Sequence, residues 1–98
     1  MNNEKKENPI LCIPRIDESI KKTYIFEKIK KLNWGVIQKI NEIPLKNELT
    51  KKRIIIYLKW NENESSKKYK SMIEKDESIK LVYEENNPFF WKILKFKQ

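Results

Sequence analysis

Arg53, Tyr57 and Lys59 stand at alternate positions of the run Lys51-Lys52-Arg53-Ile54-Ile55-Ile56-Tyr57-Leu58-Lys59-Trp60, and their types and spacing fit one kind of chemistry. Successive side chains of an extended strand point to opposite faces. Ile54, Ile56 and Leu58 then form one apolar row, and Arg53, Ile55, Tyr57 and Lys59 form the other. The first row calls for a core. The second offers two cations, a flat aliphatic surface and an aromatic ring, a combination suited to stacking on bases and to contact with phosphates.

Such a row is useful only if a folded sheet holds it. At 98 residues the chain has room for one domain with one core. With 3 Trp, 4 Tyr and 4 Phe it carries more aromatic mass than disordered chains do. The net charge of +8 favours anionic partners such as nucleic acid. A second source of that charge is compositional: only Arg15 and Arg53 are arginines, and Lys, Ile and Asn, which dominate the chain, all have A/T-rich codons.

Proline, glycine and apolar spacing set out the elements. Residues 1–8 read as a flexible charged arm, and 9–98 as the single domain. Ile10 to Ile13, between Pro9 and Pro14, has the length of a buried strand. Ile25, Ile29 and Leu32 lie on one helical stripe, with Asp17, Ser19 or Thr23 as alternative caps. Gly35 just beyond reads as the helix stop, because glycine tolerates positive φ. Val36 to Ile43 predicts a second strand, ended by Pro44, and the isoleucine-rich run a third. Tyr69, Met72 and Ile73 mark a second helix capped by Ser65 or Ser66. Ile79 to Tyr83 and Phe89 to Phe96, separated by the turn-forming Glu84 to Pro88, predict a terminal hairpin. The expected fold is α+β: a ferredoxin-like split βαβ sandwich, βαββαβ, with two helices on one face of an antiparallel sheet and a C-terminal hairpin.

In that order, Arg53 to Trp60 resembles the octamer of the RNA recognition motif (RRM), whose pattern is basic, Gly, aromatic, small, aromatic, aliphatic, any, aromatic. Arg53, Tyr57, Leu58 and Trp60 match, whereas Ile54, Ile55 and Ile56 depart from it. The corresponding hexamer is Leu11 to Ile16, with Cys12 and Arg15 where the family places an aromatic and an asparagine. The resemblance implies base stacking at positions 12, 55 and 57, of which Tyr57 alone carries a ring. Cys12-Ile13-Pro14-Arg15, Gly35-Val36-Ile37, Lys59-Trp60 and Pro88-Phe89-Phe90-Trp91-Lys92 are also similar to segments shared by short proteins of giant DNA viruses of protists. This second likeness spans roughly Ile10 to Lys95 and implies a viral protein in the host cytoplasm or virus factory, or packaged in the virion.

Strand parity extends the face to Lys39 and Asn41 on the second strand and to Lys92 and Leu94 on the last. Lysines there would meet phosphates, and Asn41 a base edge. Arg15, just past the first strand, can stack on a base or pair with a phosphate. The candidate nucleic-acid residues are therefore Arg15, Lys39, Asn41, Arg53, Ile55, Tyr57, Lys59 and Lys92. Trp60 and Trp91 are assigned to the core, Trp34 to a lid on the first helix, and Lys67, Lys68 and Lys70 to a solvated face.

Catalysis finds no support. There is no His to serve as base or metal ligand, Cys12 is alone, and one glycine cannot build a phosphate-cradling loop. No cofactor, metal or disulfide is expected. No apolar run approaches the roughly 18 residues of a membrane span, so no membrane partner is expected. The expected partner is single-stranded RNA or DNA, held weakly and with strong salt dependence. The alternative is a viral or host protein with an acidic and apolar surface that covers Ile55 and Leu94.

Overall fold

The isoleucine-rich run becomes the inside of a sheet. In the computed structural model, which describes residues 8–83 and 90–97, β3 (Lys51–Trp60) pairs with β2 (Gly35–Pro44) on one side and β1 (Leu11–Asp17) on the other. β5 (Phe90–Lys95) follows β1, and β4 (Ile79–Val82) closes that edge. The result is an open antiparallel sheet of five strands in the order β2-β3-β1-β5-β4. Ile25 and Ile29 of α1 (Lys22–Leu32) and Ile73 of α2 (Glu64–Glu74) join Leu11, Ile13, Ile54, Ile56 and Ile93 in one core, so both helices cover the same face. The architecture is α+β and compatible with a ferredoxin-like fold. Its order, β1-α1-β2-β3-α2-β4-β5, differs from a bare βαββαβ in ending on two strands, β4 and β5, which pair antiparallel where the terminal hairpin is expected. Residues 1–7 of the expected arm and the expected turn 84–88, with Phe89, lie outside the described residues.

Several boundaries differ from expectation for local physical reasons. β1 does not stop at Pro14 but runs to Asp17, because the register shifts between Ile13 and Ile16. Ile13 faces Ile54 and Ile16 faces Lys52, so Pro14 and Arg15 together oppose Arg53. A bulge of this kind accepts proline, which has no N–H to give to a ladder. It also returns Ile16 to the core. α1 starts at Lys22 rather than at any expected cap: Asp17 Oδ1 accepts from the Ser19 N–H and hydroxyl, and the actual N-cap, Lys21, makes no side-chain bond. α2 is capped by Asn63, whose Oδ1 accepts from the Ser66 N–H at 2.8 Å. Ser66 is instead buried, and its hydroxyl donates to the Asn33 carbonyl, which links the start of α2 to the end of α1.

Gly35 is present for a reason other than the expected helix stop. Asn33, at φ 57°, makes the left-handed C-cap, and Gly35 has no positive φ. Gly35 opens β2 against Trp60, where an added Cβ would lie 2.1 Å from the Lys59 carbonyl oxygen and 2.7 Å from the Trp60 Cα. Backbone cannot yield as a side-chain tip can. Gly35→Ala is therefore expected to lower stability by about 1–3 kcal/mol in urea unfolding. A loss below about 0.5 kcal/mol, the range of neutral surface changes, would mean that the β2–β3 approach relaxes freely.

Three rings are stacked beside this glycine. Trp34 lies 5.5 Å from Trp60 at 11° and 5.0 Å from Tyr69 at 26°. Trp60 and Trp91 are buried as assigned. Trp60 Nε1 donates to the Pro9 carbonyl, which ties the start of β1 to the end of β3. Trp34 is a buried core member rather than a lid.

Candidate nucleic-acid interface

With both helices on one face, the other face of the sheet is formed by the second row of β3 and its neighbours. Cross-strand pairs place Lys39 beside Tyr57, Asn41 beside Ile55, Ile43 beside Arg53 and Val36 beside Lys59. The expected parity of Lys39 and Asn41 holds with a bulge just before them. Ile37 pairs with Leu58 on the core side, Gln38 is the extra residue, and Lys39 then pairs with Tyr57. On the other side of β3, Cys12 pairs with Ile55 and Leu94 pairs with Cys12. One rung, Asn41-Ile55-Cys12-Leu94, thus crosses four strands.

The centre of this face is closed and its periphery open. Ile55 is only 1% exposed and Cys12 8%, so neither offers a surface for a base. Ile55 is thereby removed as a stacking position and acts as the apolar floor. Tyr57 is half-buried, whereas Arg53, Lys59, Lys39 and Lys92 are exposed. Lys39 Nζ lies 5.7 Å from the Tyr57 ring centroid, a cation–π distance. Burial pushes the Cys12 thiol pKa up, and the nearby Arg53 guanidinium only partly offsets that. A raised thiol stays protonated near neutral pH and is a poor nucleophile.

Two cations are engaged elsewhere. Arg15 donates from Nε and Nη2 to the two Glu48 carboxylate oxygens at 2.8 and 2.7 Å, a bidentate pair that occupies its fork. Lys52 is buried on the helix side and donates to the Ile20 carbonyl and to Glu42 Oε2. Among the described residues, Arg53, Lys39, Lys59 and Lys92 have no ion-pair partner at this face.

The hydrogen bond from Arg15 holds the Glu48 carboxyl below its ordinary value of 4.5, and hydrogen bonds from Ser19 do the same for Asp17. A depressed carboxylate pKa contributes stability that is present above the unfolded value and lost as pH falls through the folded one. Below pH 4.5 the wild type should therefore lose more stability than Glu48→Gln. Urea midpoints across the acid range check this, and parallel profiles would show that the pair is not formed in solution.

Sequence reasoning missed what lies at the β4–β5 edge of the same face. Lys80 pairs with Lys92, and Val82 with Phe90. Phe90 is 45% exposed, and Lys80 Nζ lies 4.9 Å from its ring centroid. Grouping Phe89 to Phe96 as one apolar strand hid this, although Phe90 has the opposite parity to the buried Trp91. The lysines of α2 divide: Lys68 sits over Tyr69, while Lys67 and Lys70 line a polar cleft of about 590 Å³ with Lys59, Glu62 and Glu74.

An exposed ring beside cations that have no ion-pair partner among the described residues can bind a base and its phosphates. Among the described residues, no group of three or more His, Cys, Asp or Glu could hold a metal ion. No described helix is long and apolar enough to cross a membrane. No protein-family model, curated protein or solved structure matches the chain.

Proposed function

We propose that this chain is a non-catalytic, RRM-like binding module that holds single-stranded RNA or DNA on the helix-free face of its sheet. In this reading β1-α1-β2-β3-α2-β5 is the βαββαβ unit and β4 an added edge strand. The order of the strands supports it, with β1 and β3 inside the sheet and β2 at its edge. The observation that carries the proposal is Tyr57, set on the open face with Lys39 against its ring, Lys59 two residues after it and Arg53 four residues before it on the same strand face. A base stacked on Tyr57 would have phosphate-binding cations on three sides.

Fluorescence anisotropy with labelled single-stranded RNA and DNA at low salt tests the proposal, with Tyr57→Ala as the variant. Binding that neither polymer shows would remove it. A second reading, a protein-docking surface, draws on Val36, Ile43, Val82 and Phe90, exposed apolar side chains on this one face. Light scattering and a pull-down with and without nuclease separate the two, since a partner lost with nuclease belongs to the first.

A further inference from the structure

We infer that Phe90, with Lys80 and Lys92, is a second base-stacking site on the same face, so that one nucleic-acid strand is held at two aromatic points with the cations Arg53 and Lys92 between them. This rests on the nucleic-acid reading of Tyr57 and extends it. An apolar ring left in water forgoes the gain of burying it. Phe90 nevertheless leaves 45% of its surface open on the helix-free face, while its neighbour Trp91 is buried. Lys80 Nζ at 4.9 Å repeats at Phe90 what Lys39 at 5.7 Å does at Tyr57. Each corner therefore presents a ring with an ammonium beside it, able to take a base and an adjoining phosphate together.

Register places the two corners relative to each other. Cys12 faces both Ile55 and Leu94, so Leu94 lies level with Ile55 and two strands away. β3 and β5 both run antiparallel to β1 and hence parallel to each other. Counting back along both, Lys92 comes level with Arg53, and Phe90 level with Lys51. The cations Arg53 and Lys92 thus lie between the two rings. Two strand spacings of about 4.8 Å and six residues of about 3.4 Å rise separate Tyr57 from Phe90 by roughly 22 Å. That span is too long for a dinucleotide and within the several nucleotides that one small domain holds.

The uncharged rung Asn41-Ile55-Cys12-Leu94 also bears on the choice of ligand. Ile55, Cys12 and Leu94 make an uncharged floor between cations, over which a flexible strand can pass without a specific contact. A nucleic-acid strand, whose negative phosphates are separated by uncharged sugars and bases, fits that alternation. A continuous acidic protein surface would set its charges over the floor as well.

Anisotropy with single-stranded RNA about four and about ten nucleotides long tests this, using Phe90→Leu, Phe90→Trp and Tyr57→Ala. Phe90→Leu keeps an apolar side chain and removes the π face, and it should weaken the longer RNA about tenfold with little effect on the shorter one. Phe90→Trp should retain wild-type affinity. Tyr57→Ala should weaken both lengths. Wild-type binding that Phe90→Leu leaves unchanged, or weakens equally at both lengths, overturns the second site while the Tyr57 reading stands. Failure of the wild type to bind either length overturns that reading and this one with it.

Discussion

Trp34→Ala is expected to remove about 3–5 kcal/mol of stability, the range for deleting a buried large aromatic side chain. Trp34 is buried between Trp60 and Tyr69, so truncation leaves two ring faces without a partner. Aromatic pairs contribute about 0.5–1.5 kcal/mol each beyond the area they bury, and this change removes two pairs. The site has little freedom to collapse into the space. Its backbone is fixed by the left-handed Asn33 before it and the close approach of Gly35 after it. The Asn61 N–H donates to the Trp34 carbonyl at 2.7 Å, while the Asn61 side-chain amide and the Ser66 hydroxyl both donate to the Asn33 carbonyl. The end of α1, the end of β3 and the start of α2 therefore meet at this ring. A domain of this size has about 5–15 kcal/mol in total, so the variant should unfold at much lower urea. A loss below about 1 kcal/mol would show that the stack does not form. Tyr57→Ala, half-buried on the open face, is the comparison and should lower the midpoint less than Trp34→Ala.

β3 was legible to the residue because ten positions of alternating character leave little choice of element or face. The same parity set Tyr57, Arg53, Lys59, Lys39, Asn41 and Lys92 on one surface, even across the bulge at Gln38. What failed was information that resides in tertiary contact. Pro14 reads as a terminator until β3 is seen to offer one residue, Arg53, against two. Gly35 reads as a helix stop until Lys59 is placed 2.1 Å from where its Cβ would be. Among Asn63, Ser65 and Ser66, three residues of capping type, only geometry selects Asn63. Arg15 looked free because Glu48 is 33 positions away. Ile55 looked available because local pattern assigns a face but not what its neighbours on that face cover.

Those pairings determine the second large effect, the response of binding to salt. With Arg15 held by Glu48 and Lys52 by Glu42, the described cations left to the Tyr57 site, apart from Lys80 beside Phe90, are Lys39, Arg53, Lys59 and Lys92. If each neutralises one phosphate of a single strand, log affinity should fall with log salt at a slope of about −3, from roughly −0.7 per phosphate. A tenfold rise in salt then weakens binding by nearly three decades, about 4 kcal/mol. Stacking releases no counterions, so Tyr57→Ala should shift the whole line down by about tenfold and leave it parallel. The two measurements thus separate two sources of affinity that net charge alone cannot. A slope near −1 would mean that the lysines reflect composition rather than a binding face. A steep slope with coincident lines for wild type and Tyr57→Ala would mean that the charge attracts nucleic acid without bringing it onto the ring. Only a steep slope with parallel, displaced lines places the strand on the sheet, because only there are the four cations and the ring within reach of the same few nucleotides.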